Sequence, residues 1–218
     1  MKKDLTELVF ILDRSGSMAG LESDTIGGYN AMLKKQKAGD GEATVTTVLF
    51  DDQYDLLHDR IDIRGIKPIT EKDYYVRGST ALLDAMGRTI SKIGNAQRHT
   101  SDELRAEKVL FVITTDGMEN ASREYDYAKI RAMVERQQQK YGWEFIFLGA
   151  NIDAFDTAGR MGIRPDRTAN YHADGVGTQV NFVAVSEAVS EIRSKRFISQ
   201  DWKAGIDADY KGRKGKKE

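Results

Sequence analysis

The sequence predicts a doubly wound α/β fold, with a mostly parallel sheet, one antiparallel edge strand and helices on both faces. Three observations lead there. Apolar runs of strand length alternate with segments of helical period, the pattern of βαβ units. Most of these runs are apolar without alternation, as strands buried on both faces are. Two of them are separated by only a short turn, and strands joined so tightly pair antiparallel.

In chain order, LTELVFILD (5–13) is the first strand, nearly continuous in its apolar residues. SDTIGGYNAMLKKQK (23–37) follows with Ile26, Tyr29, Met32 and Leu33 at helical spacing. EATVTTVLF (42–50) and QYDLLHDRIDI (53–63) flank a turn at Asp51-Asp52 and form the hairpin. ALLDAMGRTISKIGNAQ (81–97) sets Leu82, Leu83, Met86, Ile90 and Ile93 on one helical face. KVLFVITTD (108–116) is the most apolar strand, YDYAKIRAMVERQQQKYG (125–142) a helix ending at a C-cap glycine, and WEFIFLGA (143–150) another buried strand. A short helix over 152–162 and a longer final one over 176–197 complete a Rossmann-like arrangement. Residues 1–197 are expected to form one domain and 198–218 a basic, flexible tail.

Composition narrows the function classes. Hydrophobic residues make up 40% of the 218 and charged residues 31%, which suits a globular domain with a sizeable core. There is no cysteine, which excludes disulfides, thiolate metal sites and cysteine nucleophiles, and tilts towards a reducing compartment. The apolar run Leu8–Leu12 is too short and too close to Asp4 and Glu7 for a secretory core, and nothing approaches a membrane span, so a cytoplasmic location is expected. Net charge is −1, with five of the bases inside 211–218, and the rest of the chain is acidic. Without aromatic-basic interleaving, this argues against nucleic acid as a partner.

In such a sheet, ligands bind beyond the carboxyl ends of the strands, where strand order reverses. Three loops there carry hard oxygen donors. The first strand runs into Asp13-Arg14-Ser15-Gly16-Ser17, a D-x-S-x-S pattern. The segment after the hairpin ends in Arg77-Gly78-Ser79-Thr80, just ahead of a helix, and strand 108–116 ends in Thr115-Asp116-Gly117. Side chains at i, i+2 and i+4 of an extended loop can converge, so Asp13, Ser15 and Ser17 with Thr80 and Asp116 offer two carboxylates and three hydroxyls. That set suits Mg²⁺, with Mn²⁺ or Ca²⁺ as alternatives, and does not suit zinc or copper. Two carboxylates neutralise a divalent ion without over-neutralising it, which leaves room for an acidic side chain of a partner protein. Arg14, Ser79, Glu119, Asn151 and Asp153 flank these loops and are expected on the rim that such a partner would meet.

FILDRSGSM, RGSTALLDA and VITTDGMEN, in this order and on these elements, resemble the von Willebrand factor A (VWA) family and its metal-ion-dependent adhesion site. The resemblance covers roughly residues 5–195. It implies a non-enzymatic binding module with Asp13, Ser15, Ser17, Thr80 and Asp116 around the metal. The cysteine-free form resembles the intracellular bacterial branch, whose members act as recruiting subunits beside AAA-type ATPases or in stress-response complexes.

The rival reading is a Mg²⁺-dependent phosphatase or phosphotransferase with Asp13 as nucleophile. That chemistry needs a second aspartate two residues on as proton carrier, and Ser15 stands there. No G-x-x-x-x-G-K-[ST] or G-x-S-x-G motif is present, and Gly175-Val176-Gly177 lacks the third glycine of a dinucleotide loop. His58, His99 and His172 share no metal-ligand spacing and read as exposed or ordinary structural histidines.

Overall fold

A computed structural model describes residues 1–195 and 197–214. Its single sheet has six strands, β1 (Lys2–Asp13), β2 (Glu42–Phe50), β3 (Tyr54–Asp62), β4 (Ala106–Thr115), β5 (Glu144–Gly149) and β6 (Thr168–Asn170), in the order β3-β2-β1-β4-β5-β6. Every pairing is parallel except β2 with β3, the hairpin read from the short turn. Strand order reverses between β1 and β4, so the crevice lies beyond Asp13 and Thr115.

The helices are α1 (Glu22–Lys37), α2 (Leu82–His99), α3 (Tyr127–Tyr141), α4 (Ala154–Arg160), α5 (Gly175–Lys195) and α6 (Ala204–Lys214). Strand β1 explains why both faces are covered. Leu8, Phe10 and Leu12 point into one core with Tyr29 of α1 and Val185 and Val189 of α5. Val9 and Ile11 point into the other, with Met86 and Ile90 of α2 and Ile130 and Val134 of α3. Successive side chains leave a strand on opposite sides, so an unbroken apolar run supplies two cores at once. Helix α3 ends as its sequence predicts, with Gly142 at φ 66° in the left-handed region. No helix among the described residues is long and apolar enough to cross a membrane.

The chain after residue 198 departs from expectation. It is not a loose tail up to 214: a short 3-10 turn at Gln200–Lys203 leads into α6, which packs against α5 and β6. Ile198, Trp202 and Ile206 are buried, and the Trp202 indole donates to the Asp166 carbonyl at 2.8 Å. Ile198, Trp202 and Ile206 recur every four residues, a spacing that the net basic charge of 198–218 as a whole does not reveal. The expectation for 215–218 lies outside the described residues. Trp202→Ala is expected to destabilise the domain by about 3–5 kcal/mol, as large-to-small core changes do. Urea unfolding checks this, and a loss below about 1 kcal/mol would show that 198–214 adds nothing to the core.

Candidate metal centre

The three loops meet at the reversal of strand order. Asp13 closes β1, and its carboxylate accepts the Ser15 backbone N–H at 2.7 Å and the Thr115 hydroxyl at 2.5 Å. The first bond folds the loop back so that Ser15 faces the crevice. Thr80 then donates to the Ser15 hydroxyl at 2.9 Å, and the Ser15 and Ser17 hydroxyls lie 3.1 Å apart. Gly117 shows how tightly the third loop closes on them. A Cβ there would come within 2.7 Å of the Ser17 hydroxyl and 2.8 Å of that of Thr80, so a side chain at 117 would displace the hydroxyls on which this loop closes.

Asp116 completes the group and is the anomaly in it. The residue is buried, and neither carboxylate oxygen accepts a well-formed hydrogen bond among the described residues. Buried polar groups are ordinarily satisfied, so two orphaned oxygens on one carboxylate call for a ligand. Burial pushes this carboxyl above its ordinary range, against the opposing pull of the nearby Ser17 hydroxyl. Burial also raises Asp13, to about 6, against the opposing pull of the Ser15 and Thr115 hydrogen bonds. Among the described residues no three or more His, Cys, Asp or Glu side chains gather as a metal cluster, and this group has two carboxylates with three hydroxyls instead. The orphaned carboxylate and the convergent hydroxyls together fit a hard divalent cation.

Further contacts brace the loops. The Tyr74 hydroxyl donates to the Asp13 carbonyl. Asn120 accepts the Thr80 N–H at 3.0 Å through its side chain and donates its own N–H to the Thr80 carbonyl at 3.0 Å. The Arg77 N–H reaches the Arg14 carbonyl at 2.9 Å, and that of Gly16 reaches Gly78 at 3.1 Å. The bracing roles of Tyr74, Thr115 and Asn120 escape the sequence reading. Alternation along β4 could have found Thr115, but Tyr74 lies in an irregular segment with no period to mark it.

The rim divides. Ser79, Asn151 and Asp153 are exposed, Asp153 also capping α4 through the N–H groups of Phe155 and Asp156. Glu119 is half-buried and holds its own loop, accepting from Ala121 and Ser122 and from Leu83 at the start of α2. Arg14 corrects the expectation: it is 2% exposed and cannot meet a partner. Its guanidinium turns under the loop to Asp51, 3.1 Å away, and to Asp55. Asp51, itself buried at the hairpin turn, also accepts from Arg77 at 2.5 Å, and its carbonyl accepts from Ala81. A turn residue by sequence is therefore the link between the first two loops. The histidines stay outside the group. His58 contacts Thr47, and His172 the Tyr210 carbonyl.

No family model and no curated protein matches the sequence. Solved structures do. Manganese-loaded TRAP protein of Plasmodium vivax is 18% identical, with a TM-score of 0.59 over 84% of this chain and 75% of that one. Proximal thread matrix protein 1 of the mussel byssus, with a zinc-occupied metal-ion-dependent adhesion site, is 14% identical with a TM-score of 0.58 over 85% of this chain. This chain spans 46% of the mussel protein's length. The VWA domain of SpRpn10 is 9% identical, with a TM-score of 0.54 over 82% of this chain and 94% of that one. The order of the strands, the crevice beyond β1 and β4 and these likenesses give one conclusion: the chain has the von Willebrand factor A fold.

Proposed function

We propose that this domain is a divalent-cation-dependent protein-binding module. Asp13, Ser15, Ser17, Thr80 and Asp116 hold the ion, Mg²⁺ in the first instance, and a partner protein supplies an Asp or Glu to it. The observation that carries the reading is the buried Asp116 carboxylate with both oxygens unpartnered beside three linked hydroxyls. The metal-loaded sites of the Plasmodium and mussel proteins, on the same fold, support a divalent ion in general, manganese in the one and zinc, against the expectation from the donor set, in the other. When bound, the ion supplies a Lewis-acidic position that an incoming carboxylate can complete.

The chain's own residues do the rest. Ser15 and Thr80 are held in register by their mutual hydrogen bond, so their oxygens need little reorganisation. Asp13 has both oxygens engaged, by Ser15 and Thr115, which suits an electrostatic anchor and gives no support to its use as a phosphoryl acceptor. The exposed Ser79 and Asn151, together with Met118 at 72% exposure, leave an open, partly apolar lip for the partner. We extend the reading to a cytoplasmic recruiting role, with an AAA-type ATPase or a stress-response complex as the kind of partner to test first.

Calorimetric titration of Mg²⁺ and Mn²⁺ into chelator-treated protein is expected to show saturable one-to-one binding. Asp116→Ala and Ser15→Ala should each weaken it by about tenfold or more, since each removes a ligand. No heat and no shift in melting temperature with either ion at about 10 mM would end the metal reading and leave the fold.

A further inference from the structure

A second cavity lies at the opposite end of the sheet from the metal loops. It has a volume of about 490 Å³ and opens where β4 begins and where α2 and α3 end. That volume suits a ligand of nucleotide size. Its wall carries four cationic side chains, Arg98, Arg105, Arg136 and Lys140, against the acids Asp102 and Glu107. Asp102 is already paired with Arg105 at 2.8 Å.

Basic residues at helix C-termini often do no more than offset the negative end of the helix dipole. That accounts for Arg98 and Lys140, in the last turns of α2 and α3. It does not account for Arg136, which precedes the last turn of α3, or for Arg105, which belongs to the loop before β4. Arg105 is held in place by the Thr100 carbonyl at 3.1 Å, yet its buried Nε has no partner among the described residues. The cavity also has an aromatic side. Trp143 lines it from below, stacked on Phe111, and Tyr141 stands 49% exposed at its edge with the Lys140 ammonium 5.5 Å from its ring centre. Arg136 and Lys140 also engage the Tyr141 hydroxyl, and cationic side chains lining a cavity beside an exposed ring suit a phosphorylated molecule that also carries a flat, apolar group.

We propose that this cavity binds a nucleotide-sized phosphorylated small molecule, its phosphates taken by Arg98, Arg105 and Arg136 and its base laid against Tyr141. The glycine-rich phosphate loops absent from the sequence play no part, because the donors here are guanidinium groups. The site is separate from the metal loops, so the proposal stands or falls independently of the adhesion-type function.

The test uses ADP, with adenosine and pyrophosphate as separate probes, by calorimetry on the whole protein in chelator at low salt. ADP is expected to bind one-to-one, with adenosine and pyrophosphate each at least about tenfold weaker and the affinity falling with salt. Arg98→Gln/Arg136→Gln alters two exposed side chains, so the fold should survive, checked by an unchanged melting temperature. It should weaken ADP by about tenfold or more, whereas Asp116→Ala should leave ADP binding unchanged. Three outcomes would overturn the proposal: no saturation by about 1 mM ADP, ADP affinity unchanged in the double variant, or adenosine binding as tightly as ADP. Pyrophosphate binding as tightly as ADP would overturn the role given to Tyr141.

Discussion

Asp116→Asn is expected to make the metal-free protein more stable while it abolishes divalent-metal binding. A buried carboxylate without a well-formed hydrogen bond is held in the fold against its desolvation, and the isosteric amide removes the charge without opening a cavity. The gain should be roughly 1–3 kcal/mol near neutral pH, or about 2–4 °C in melting temperature for each kcal/mol in a chain of this size. The sign of the pH dependence follows from the same burial. Asp13 is raised from 3.8 to about 6, and Asp116 is raised as well, each first by loss of solvent. A carboxyl raised in the folded state contributes its stability below the unfolded value and loses it as pH climbs through the folded one. In chelator, stability should therefore fall from about pH 4 to about pH 6, with roughly 3 kcal/mol of the loss due to Asp13. Added Mg²⁺ should restore it in the wild type and not in the variant. Scanning calorimetry across that range, with and without the ion, decides the matter. A metal-free variant less stable than the wild type would give Asp116 a structural role and remove the main argument for the ion.

Arg14→Met is expected to be among the most damaging single changes near the site. Arg14 and Asp51 are 2% and 0% exposed, and removing one partner of a buried pair leaves the other charge in a poor medium. Complete loss of pairing would cost about 3–5 kcal/mol. Arg77 still reaches Asp51, so the lower part of that range is expected. Because Asp51 also receives the Ala81 N–H through its carbonyl, the damage should spread to Thr80 and weaken metal binding by about tenfold or more. Arg14→Met/Asp51→Asn should recover part of the stability, because no unpaired buried charge remains at position 51. Urea unfolding and metal titration of the three proteins test this. A single-variant loss below about 1 kcal/mol would place the pair among ordinary surface contacts.

Much of this was legible in the linear text because it depends on local period. Unbroken apolar runs at 5–13 and 108–116 mark strands covered on both faces, and the short turn at 51–52 fixes the antiparallel edge. What escaped depends on partners far apart in the chain. β6 is three residues long, too short to carry a period, and exists because β5 offers it an edge. α6 looked like a basic tail because only three of its neighbourhood's residues, Ile198, Trp202 and Ile206, face inward. Arg14 looked like a rim residue because its charge alone argues for solvent. Asp51 and Asp55, 37 and 41 positions away, argue otherwise.

The sequence by itself therefore determined the fold class and singled out Asp13, Ser15, Ser17, Thr80 and Asp116 as candidate donors, since spacing and side-chain chemistry are local properties, whereas the order of the strands came from their pairing. The tertiary structure alone decided which of those groups are satisfied. Asp13 is held through both oxygens while Asp116 is held through neither, and the cation-lined cavity at the far end of the sheet exists only when α2, α3 and β4 meet. Burial and pairing arise from packing between distant segments, and neither can be read from any one of them.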